Sequence, residues 1–145
     1  MAEARLRFEL ATPTRFMVSA EADEVVAPGA EGYFGVWPGH APFLTTLASG
    51  EVAYRSGREV RALAVHGGFA EVSGDRMIIL ADIAEHPEEI DLVRAQRARE
   101  RAEQRLAGKT QDEIDYTRAL AALARALARL QVAGRTLPGA RLGVA

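Results

Sequence analysis

Residues 29–42 read GAEGYFGVWPGHAP and residues 66–72 read HGGFAEV, and these two stretches decide the fold. The glycines at 29, 32 and 35 are three residues apart, so they cannot share one face of a strand, where side chains repeat every second residue. We expect them to supply turns with positive φ or close backbone contacts, with the prolines fixing the exit. The glycine pair of the second stretch predicts a bulge or a tight bend in a strand.

Short apolar or alternating runs surround these stretches from Arg5 to about Ala84, and turn residues such as Pro-Gly and Ser-Gly separate them. This pattern of short strands and frequent turns is typical of an antiparallel β-sandwich or barrel. We therefore predict an all-β domain over residues 1–86. Its strands are expected at 5–10, 24–27, 34–37, 51–55, 59–66 and 76–80.

A change of composition follows Pro87, because Ala, Leu, Arg and Glu then dominate to about Ala133 and glycine appears once. These residues favour helices. Gly108 is expected to end a first helix and Thr110 to cap a second one. The fold class is thus α+β, with a C-terminal antiparallel two-helix hairpin over residues 87–133 and a flexible tail over residues 134–145.

The second helix carries large apolar residues at alternating steps of four and three, which predicts a heptad seam that faces the first helix. Its members are Tyr116, Leu120, Leu123, Leu127 and Leu130. The opposing stripe of the first helix is expected to be Ile90, Ala95, Ala98, Ala102 and Leu106. Alanines bury little area, so we expect a weakly held hairpin that can open. A static hairpin packed on the β domain is the alternative.

Composition excludes several classes of function. A formal net charge of -2 argues against broad electrostatic binding of nucleic acid, and the absence of cysteine excludes disulfides and thiolate sites. No apolar run approaches the roughly 20 residues of a spanning helix, and the start lacks the apolar segment of a signal peptide, so we expect no direct membrane insertion. The glycine stretch has no following Lys or Ser/Thr in the order of a phosphate-binding loop.

Two further classes of function deserve comparison. A small β-barrel that binds a ligand through His40 and His66 would need a closed polar pocket near both, and structural histidines beside turns are the commoner case. No metal site and no catalytic set of nucleophile and base is evident. A helical adaptor that binds an unrelated partner through the leucine seam is the other alternative.

The order of motifs resembles that of bacterial F-type ATP synthase epsilon subunits. The matching segments are G-x-x-G-x-x-P-G-H-A-P at 32–42, then Leu44, Leu47 and Gly50, HGGFAEV at 66–72, MIILAD at 77–82 and IDLVRA at 90–95. The similarity covers about residues 5–133. Two departures are visible, because His66 stands where the family usually has Ser and Ala70 replaces a larger apolar residue.

The resemblance implies a non-catalytic subunit whose β domain grips the gamma subunit and sits on the c-ring of the membrane sector. It implies a location at the cytoplasmic face of the bacterial inner membrane, peripheral through the complex. Aromatic residues anchor protein contacts, and the candidates for this interface are Tyr33, Phe34, Trp37, His40 and Phe43. Packing in the core is the alternative role of the aromatic members.

The resemblance also implies that the helices regulate, either folded on the sandwich or extended into the alpha/beta catalytic head, where they block ATP hydrolysis. The sequence adds that five arginines and no acidic residue follow Tyr116. Arg118, Arg125 and Arg129 share one helical face, which would meet acidic segments of the head. A merely solvated arginine face is the alternative, with ion pairs worth under about 1 kcal/mol each.

Some relatives bind ATP on the folded hairpin, and the resemblance carries that site to Ile90, Asp91, Arg94, Arg125 and Arg129, with Glu85 nearby. In an antiparallel hairpin positions 91–94 lie opposite about 124–127, so the arginines would converge on a triphosphate. The competing interpretation is that Asp91 only caps the first helix and that Arg94 pairs with a carboxylate. We expect no required cofactor, with ATP as a regulatory ligand.

Overall fold

The computed structural model describes residues 4–108 and 112–134. Eight strands precede a short 3-10 helix at Pro87–Glu89 and two α-helices, α1 at Leu92–Ala107 and α2 at Glu113–Gly134. The strands are β1 Leu6–Ala11, β2 Phe16–Ala22, β3 Glu24–Gly29, β4 Gly32–Val36, β5 Phe43–Thr46, β6 Ser49–Ser56, β7 Glu59–Ser73 and β8 Arg76–Glu85. The predicted α+β fold, a sandwich followed by a helical hairpin, is confirmed.

The strands follow the order β2-β1-β8-β7-β6-β3-β4, and β5 pairs with β7 beside that path. Every pair is antiparallel except β1 with β8, which is parallel. This parallel pair was not predicted, because β1 and β8 start 70 residues apart in the chain. Strands β2 and β5 were also missed, since both carry mostly exposed or half-buried side chains and lack a clean alternation.

Strand β7 holds the sandwich together, since it is 15 residues long and has two partners on one edge. Residues 59–66 pair with β6, and residues 69–72 pair with β5. Gly67 and Gly68 lie at this exchange with φ of +77° and +117°, values that L side chains rarely adopt. A Cβ on Gly68 would also overlap the Leu80 carbonyl oxygen. The register with β8 does not shift across the pair, so the glycines redirect β7 without a bulge.

The core lies between the layers and consists of the inward residues of alternating strands, as the period of two requires. The rings of Phe8 and Tyr54 pack against each other, with centroids 5.2 Å apart and planes tilted by 53°. Other fully buried members are Leu6, Leu10, Val25, Val36, Val52, Leu63, Val65, Val72, Met77 and Ile79.

The hairpin begins with a cap, because the Asp91 carboxylate accepts the Arg94 backbone N–H at 3.1 Å. Gly108 caps the end of α1, because its N–H donates to the Gln104 carbonyl at 2.8 Å. At the start of α2 the Asp112 carboxylate accepts the Ile114 N–H at 2.9 Å. The predicted cap Thr110 lies outside the described residues, as do all tail residues except Gly134, which belongs to α2.

The predicted leucine seam is wrong. Tyr116, Leu120 and Leu127 are 49%, 44% and 44% exposed, while Leu123 and Leu130 are only half-buried. On α1, Ala95 and Ala102 of the predicted stripe are buried, whereas Ile90, Ala98 and Leu106 are half-buried. On α2 the buried side chains are Ala119, Ala126, Ala128 and Val132. The seven-residue spacing of the leucines on α2 is also that of Ala95 and Ala102 on α1 and of Ala119 and Ala126 on α2. The small size of alanine lets the helix backbones approach closely. A large apolar residue was therefore the wrong marker of the contact face.

Replacing Ala126 by Leu should destabilise the hairpin by about 1–3 kcal/mol, because the added carbons have no space between close helices. The matched control Leu127→Ala, on the exposed face, should change the free energy of unfolding by about 0.5 kcal/mol or less. Urea unfolding followed by the helical circular dichroism signal measures both. A larger loss of unfolding free energy for Leu127→Ala than for Ala126→Leu would show that the leucine seam, and not the alanines, forms the contact face.

Candidate functional site

A cleft of about 500 Å3 lies between α1, α2 and the end of β8. Its walls carry five arginines: Arg94, Arg101, Arg105, Arg125 and Arg129. They also carry three carboxylates: Glu85, Glu89 and Asp91. Arginines outnumber carboxylates, so the cleft favours an anionic ligand although the chain as a whole is acidic.

Helical spacing places these arginines on facing walls. On α1, Arg94, Ala98, Arg101 and Arg105 follow steps of four, three and four, which is one face of a helix. On α2, Ala122, Arg125 and Arg129 follow steps of three and four. Alanines between the arginines leave room where larger side chains would fill the cleft. Arg101 and Arg105 were missed, although the same spacing counted from Arg94 would have found them.

Arg94, Arg101 and Arg125 have no ion-pair partner within residues 4–108 and 112–134. Guanidinium groups keep their charge at all ordinary pH values and carry five N–H donors each. Three such groups facing one cleft repel each other unless an anion lies between them. Of the two interpretations of the start of α1, the structure contains the Asp91 cap, while Arg94 pairs with no described carboxylate.

Arg129, unlike Arg94, Arg101 and Arg125, forms an ion pair within the described residues. Its Nε donates to Glu85 Oε1 at 2.8 Å, and His66 Nε2 lies 2.9 Å from the same oxygen. The hydrogen bond from His66 first, and that from Arg129 second, lower the pKa of Glu85 below its ordinary value. Glu85 is therefore an anion at neutral pH and joins α2 to the sandwich.

The edge of the cleft is fixed by a second ion pair. Arg15, in the turn between β1 and β2, donates Nη1 and Nη2 to the two oxygens of Glu89 at 2.7 and 2.8 Å. This bidentate pair lowers the pKa of Glu89 to about 2. The 3-10 helix that leads from the sandwich to α1 is thus tied back to the β1–β2 turn.

The structure brings together five of the six residues predicted for nucleotide binding: Glu85, Asp91, Arg94, Arg125 and Arg129 all line the cleft. Ile90 does not. It lies half-buried between the 3-10 helix and α1, and its N–H donates to the Pro87 carbonyl at 3.2 Å.

The residues predicted for protein contacts lie elsewhere, on β4, β5, the turn between them and α2. Tyr33, Trp37 and Phe43 are exposed by 55%, 53% and 39%. Phe34 is half-buried against the core, its ring 5.2 Å from that of Phe43. Arg118 is exposed on α2 and lies outside the cleft.

The glycines of residues 29–42 serve this surface. A Cβ on Gly35 would lie 3.1 Å from the Trp37 ring, so the glycine allows the indole to lie against the backbone. Gly32 and Gly39 have φ of +135° and +85°, as expected for turns. His40 is half-buried at the same turn, with Nδ1 2.7 Å from the Ala41 carbonyl.

An apolar patch on the outer face of β5, β7 and β8 was missed. Leu44, Phe69 and Leu80 are exposed by 69%, 55% and 57%, and Phe69 lies opposite Leu80 in the register. Alternation along the strands would have revealed it, because the neighbouring Ala70 and Ile79 are inward and buried. Exposed apolar patches of this kind mark surfaces that contact other proteins.

The structure does not support the hypothesis of a small ligand-binding barrel. His40 lies in the β4–β5 turn and His66 within β7, and neither side chain lines the cleft between the helices, the cleft at β2 and β6 or the cleft at β4 and β5. The described residues also contain no group of three His, Cys, Asp or Glu side chains that could hold a metal ion.

Comparison with known proteins matches both parts of the chain. Residues 5–87 match the beta-sandwich domain of the ATP synthase Delta/Epsilon chain, and residues 88–134 match its long alpha-helix domain. The ATP synthase epsilon chain of Syntrophobacter fumaroxidans is 53% identical, over 94% of this chain and 100% of that protein. The ATP synthase epsilon chain of Moorella thermoacetica is 52% identical, over 90% of this chain and 98% of that protein.

Two solved structures have similar folds. A chain of the Euglena gracilis mitochondrial ATP synthase, in a structure of OSCP, F1 and c-ring, superposes with a TM-score of 0.76 at 25% identity, covering 90% of this chain and 82% of that one. A chain of the Tetrahymena thermophila central stalk and c-ring has a TM-score of 0.57 at 16% identity, with coverage of 90% and 95%, and shows the fold alone. Neither described helix is long and apolar enough to cross a membrane.

The Glu85 contacts predict an acid-dependent stability. The pKa of Glu85 is lower in the folded protein than in the unfolded chain, so its contribution is complete above pH 4.5 and disappears as the pH falls through the lower folded value. The Glu85→Gln variant should be less stable than the wild type at pH 7, and this difference should shrink toward pH 3. Thermal unfolding of both proteins between pH 3 and pH 7 measures the difference. A difference that does not change with pH would show that the carboxylate charge contributes nothing.

Proposed function

This chain belongs to the ATP synthase delta/epsilon family. We propose that it is an epsilon subunit with two roles in a bacterial F-type ATP synthase: it connects the rotor to the c-ring, and it senses ATP. Its place as an epsilon subunit of the central stalk follows from the match of both domains over residues 5–134 and from its bacterial relatives. Catalysis belongs to other subunits of that complex. Regulation by ATP goes beyond these matches, and the arginine-lined cleft supports it.

The sandwich supplies the mechanical role in this proposal. Its exposed aromatics, Tyr33, Trp37 and Phe43, and the patch of Leu44, Phe69 and Leu80 form two apolar surfaces on one rigid domain. One surface would hold the gamma subunit and the other would lie on the c-ring. Aromatic side chains that become buried on association supply much of the binding energy of protein contacts, and exposed apolar patches mark surfaces that bind other proteins. The chain would then be peripheral, at the cytoplasmic face of the inner membrane.

The cleft supplies the sensing role. Its volume of about 500 Å3 lies within the range of small-molecule sites. Arg94 and Arg125, from facing helices, have no described ion-pair partner and would bind phosphate oxygens by charge-assisted, bidentate hydrogen bonds. Asp91 and Glu85 flank the 3-10 helix at the edge of the cleft, and a carboxylate there would accept a hydrogen bond from the adenine amino group.

Bound ATP would favour the folded hairpin, because the cleft exists only while α1 and α2 lie together on the sandwich. A ligand that binds one state stabilises it by RT ln(1 + [L]/Kd). The buried contacts of the hairpin are alanines and one valine, which provide little apolar area, so a modest binding energy can decide between states. Without ATP the hairpin would extend toward the alpha/beta head.

The extended state would use the surface that the folded state leaves free. Tyr116, Leu120 and Leu127 form an exposed apolar stripe on α2, and Arg118 lies exposed near its start. Released arginines from the cleft would add positive charge for acidic segments of the head. The leucine heptad thus serves a partner helix in another subunit instead of α1.

Isothermal titration of ATP into the isolated chain tests this function. Saturable binding is expected, and Arg125→Ala should weaken it about 10- to 100-fold, the loss of hydrogen bonds to a charged group. The matched control is Arg97→Ala, an exposed arginine of α1 that does not line the cleft, and its affinity should be that of the wild type. Absence of saturable heat at millimolar ATP in the wild type would remove ATP sensing from the proposal.

A further inference from the structure

His66 is a buried polar residue that neither rotor contacts nor phosphate binding explains. It is 6% exposed, and the other buried polar or charged residues within 4–108 and 112–134 are Glu24 and Glu51. The imidazole lies on β7, between Ser49 of β6 and Glu85 of β8. Its Nδ1 is 3.3 Å from Ser49 Oγ, and its Nε2 is 2.9 Å from Glu85 Oε1. Burial of a polar ring requires such partners.

The partners settle which nitrogen donates. An ionised carboxylate only accepts hydrogen bonds, so Nε2 must carry the proton that faces Glu85. The Ser49 hydroxyl both donates and accepts, so it satisfies a bare Nδ1 as well as an Nδ1 that carries a proton. The bond from His66 to Glu85 is therefore present whether the imidazole is neutral or charged.

Glu85 connects His66 to the hairpin. The same Oε1 that receives His66 Nε2 also receives Arg129 Nε, from near the end of α2. Binding through Nε leaves the two Nη groups of Arg129, with four N–H donors, for the cleft that Arg129 lines. An arginine fixed in this way loses less conformational freedom when it binds an anion.

We propose that His66 is a positioning residue for the cleft: by holding the Glu85 carboxylate it orients the Arg129 guanidinium from the sandwich side. The consequence for ATP affinity rests on the proposed function, whereas the orientation of Arg129 does not. A Ser side chain at position 66 would be too short to place a donor where Nε2 lies. This chain thus has a link between sandwich and cleft that depends on the longer side chain.

Two variants of nearly equal shape test the link. His66→Gln keeps an N–H donor at the distance of Nε2, whereas His66→Met fills the space without a donor. Exchange of the Arg129 Nε proton with water, measured by nitrogen-15 NMR of the isolated chain, should become roughly two- to tenfold faster in His66→Met and stay near the wild-type rate in His66→Gln. The NMR spectrum of the remaining amides controls for folding in both.

Equal exchange rates in the wild type and His66→Met would overturn the proposal. An equal increase of the Arg129 Nε exchange rate in both variants would also overturn it, because that result would assign His66 a role in packing alone. This measurement needs no nucleotide, so it decides the role of His66 even if the chain binds no ATP.

Where ATP does bind, a double-mutant cycle separates positioning from general stability. His66→Met should weaken ATP binding roughly two- to tenfold in the wild-type background and in Arg94→Ala, but not in Arg129→Ala, where no guanidinium remains to be oriented. An equal loss in all three backgrounds would contradict an action through Arg129. Failure of the wild type to bind would count against ATP sensing and leave the exchange result standing.

Discussion

The contact of Glu85 with Arg129 is the interaction on which the arrangement of the two domains depends. The remaining buried contacts of α2 are small, since its buried side chains are Ala119, Ala126, Ala128 and Val132. Such residues allow close approach but remove little apolar area from water. A half-buried ion pair that is also hydrogen-bonded to His66 gives this weak packing a defined geometry. The same pair forms one end of the cleft, so the position of the hairpin and the geometry of the cleft are coupled.

The roles proposed for the two domains agree with the contrast in how each domain is held together. In the sandwich, β7 pairs with β5, β6 and β8, and a glycine pair redirects it without loss of register, which makes the domain one rigid unit. The hairpin has a connected pair of helices, an alanine interface and an exposed leucine stripe. A rigid unit suits transmission of torque, and a loosely held unit with two usable faces suits a switch.

Much of this could be predicted from the sequence where residue type dictates geometry. Local chemistry determines the glycines at positive φ, the change of period after Pro87 and the Asp91 cap. The antiparallel arrangement of the two helices then determines which arginines face each other. Prediction from the sequence was wrong or incomplete where side-chain size, or pairing between distant segments of the chain, determines the structure. Leucine was taken as the mark of the helix contact, but alanine of the same period fits closer helices. The β1–β8 parallel pair and the role of His66 depend on neighbours distant in the chain, and Arg101 and Arg105 were overlooked beside more conspicuous motifs.

In the proposed function, the hairpin has two positions and ATP selects the folded one. The chain has no cysteine, so spin labels can be attached to Arg58→Cys in the β6–β7 turn and Thr117→Cys on α2, both exposed. The distance distribution between these labels, measured by pulsed electron resonance in the assembled complex, tests the claim. The account predicts one short distance at saturating ATP and a second, longer distance when ATP is removed. A single distance that is identical in both conditions would contradict it.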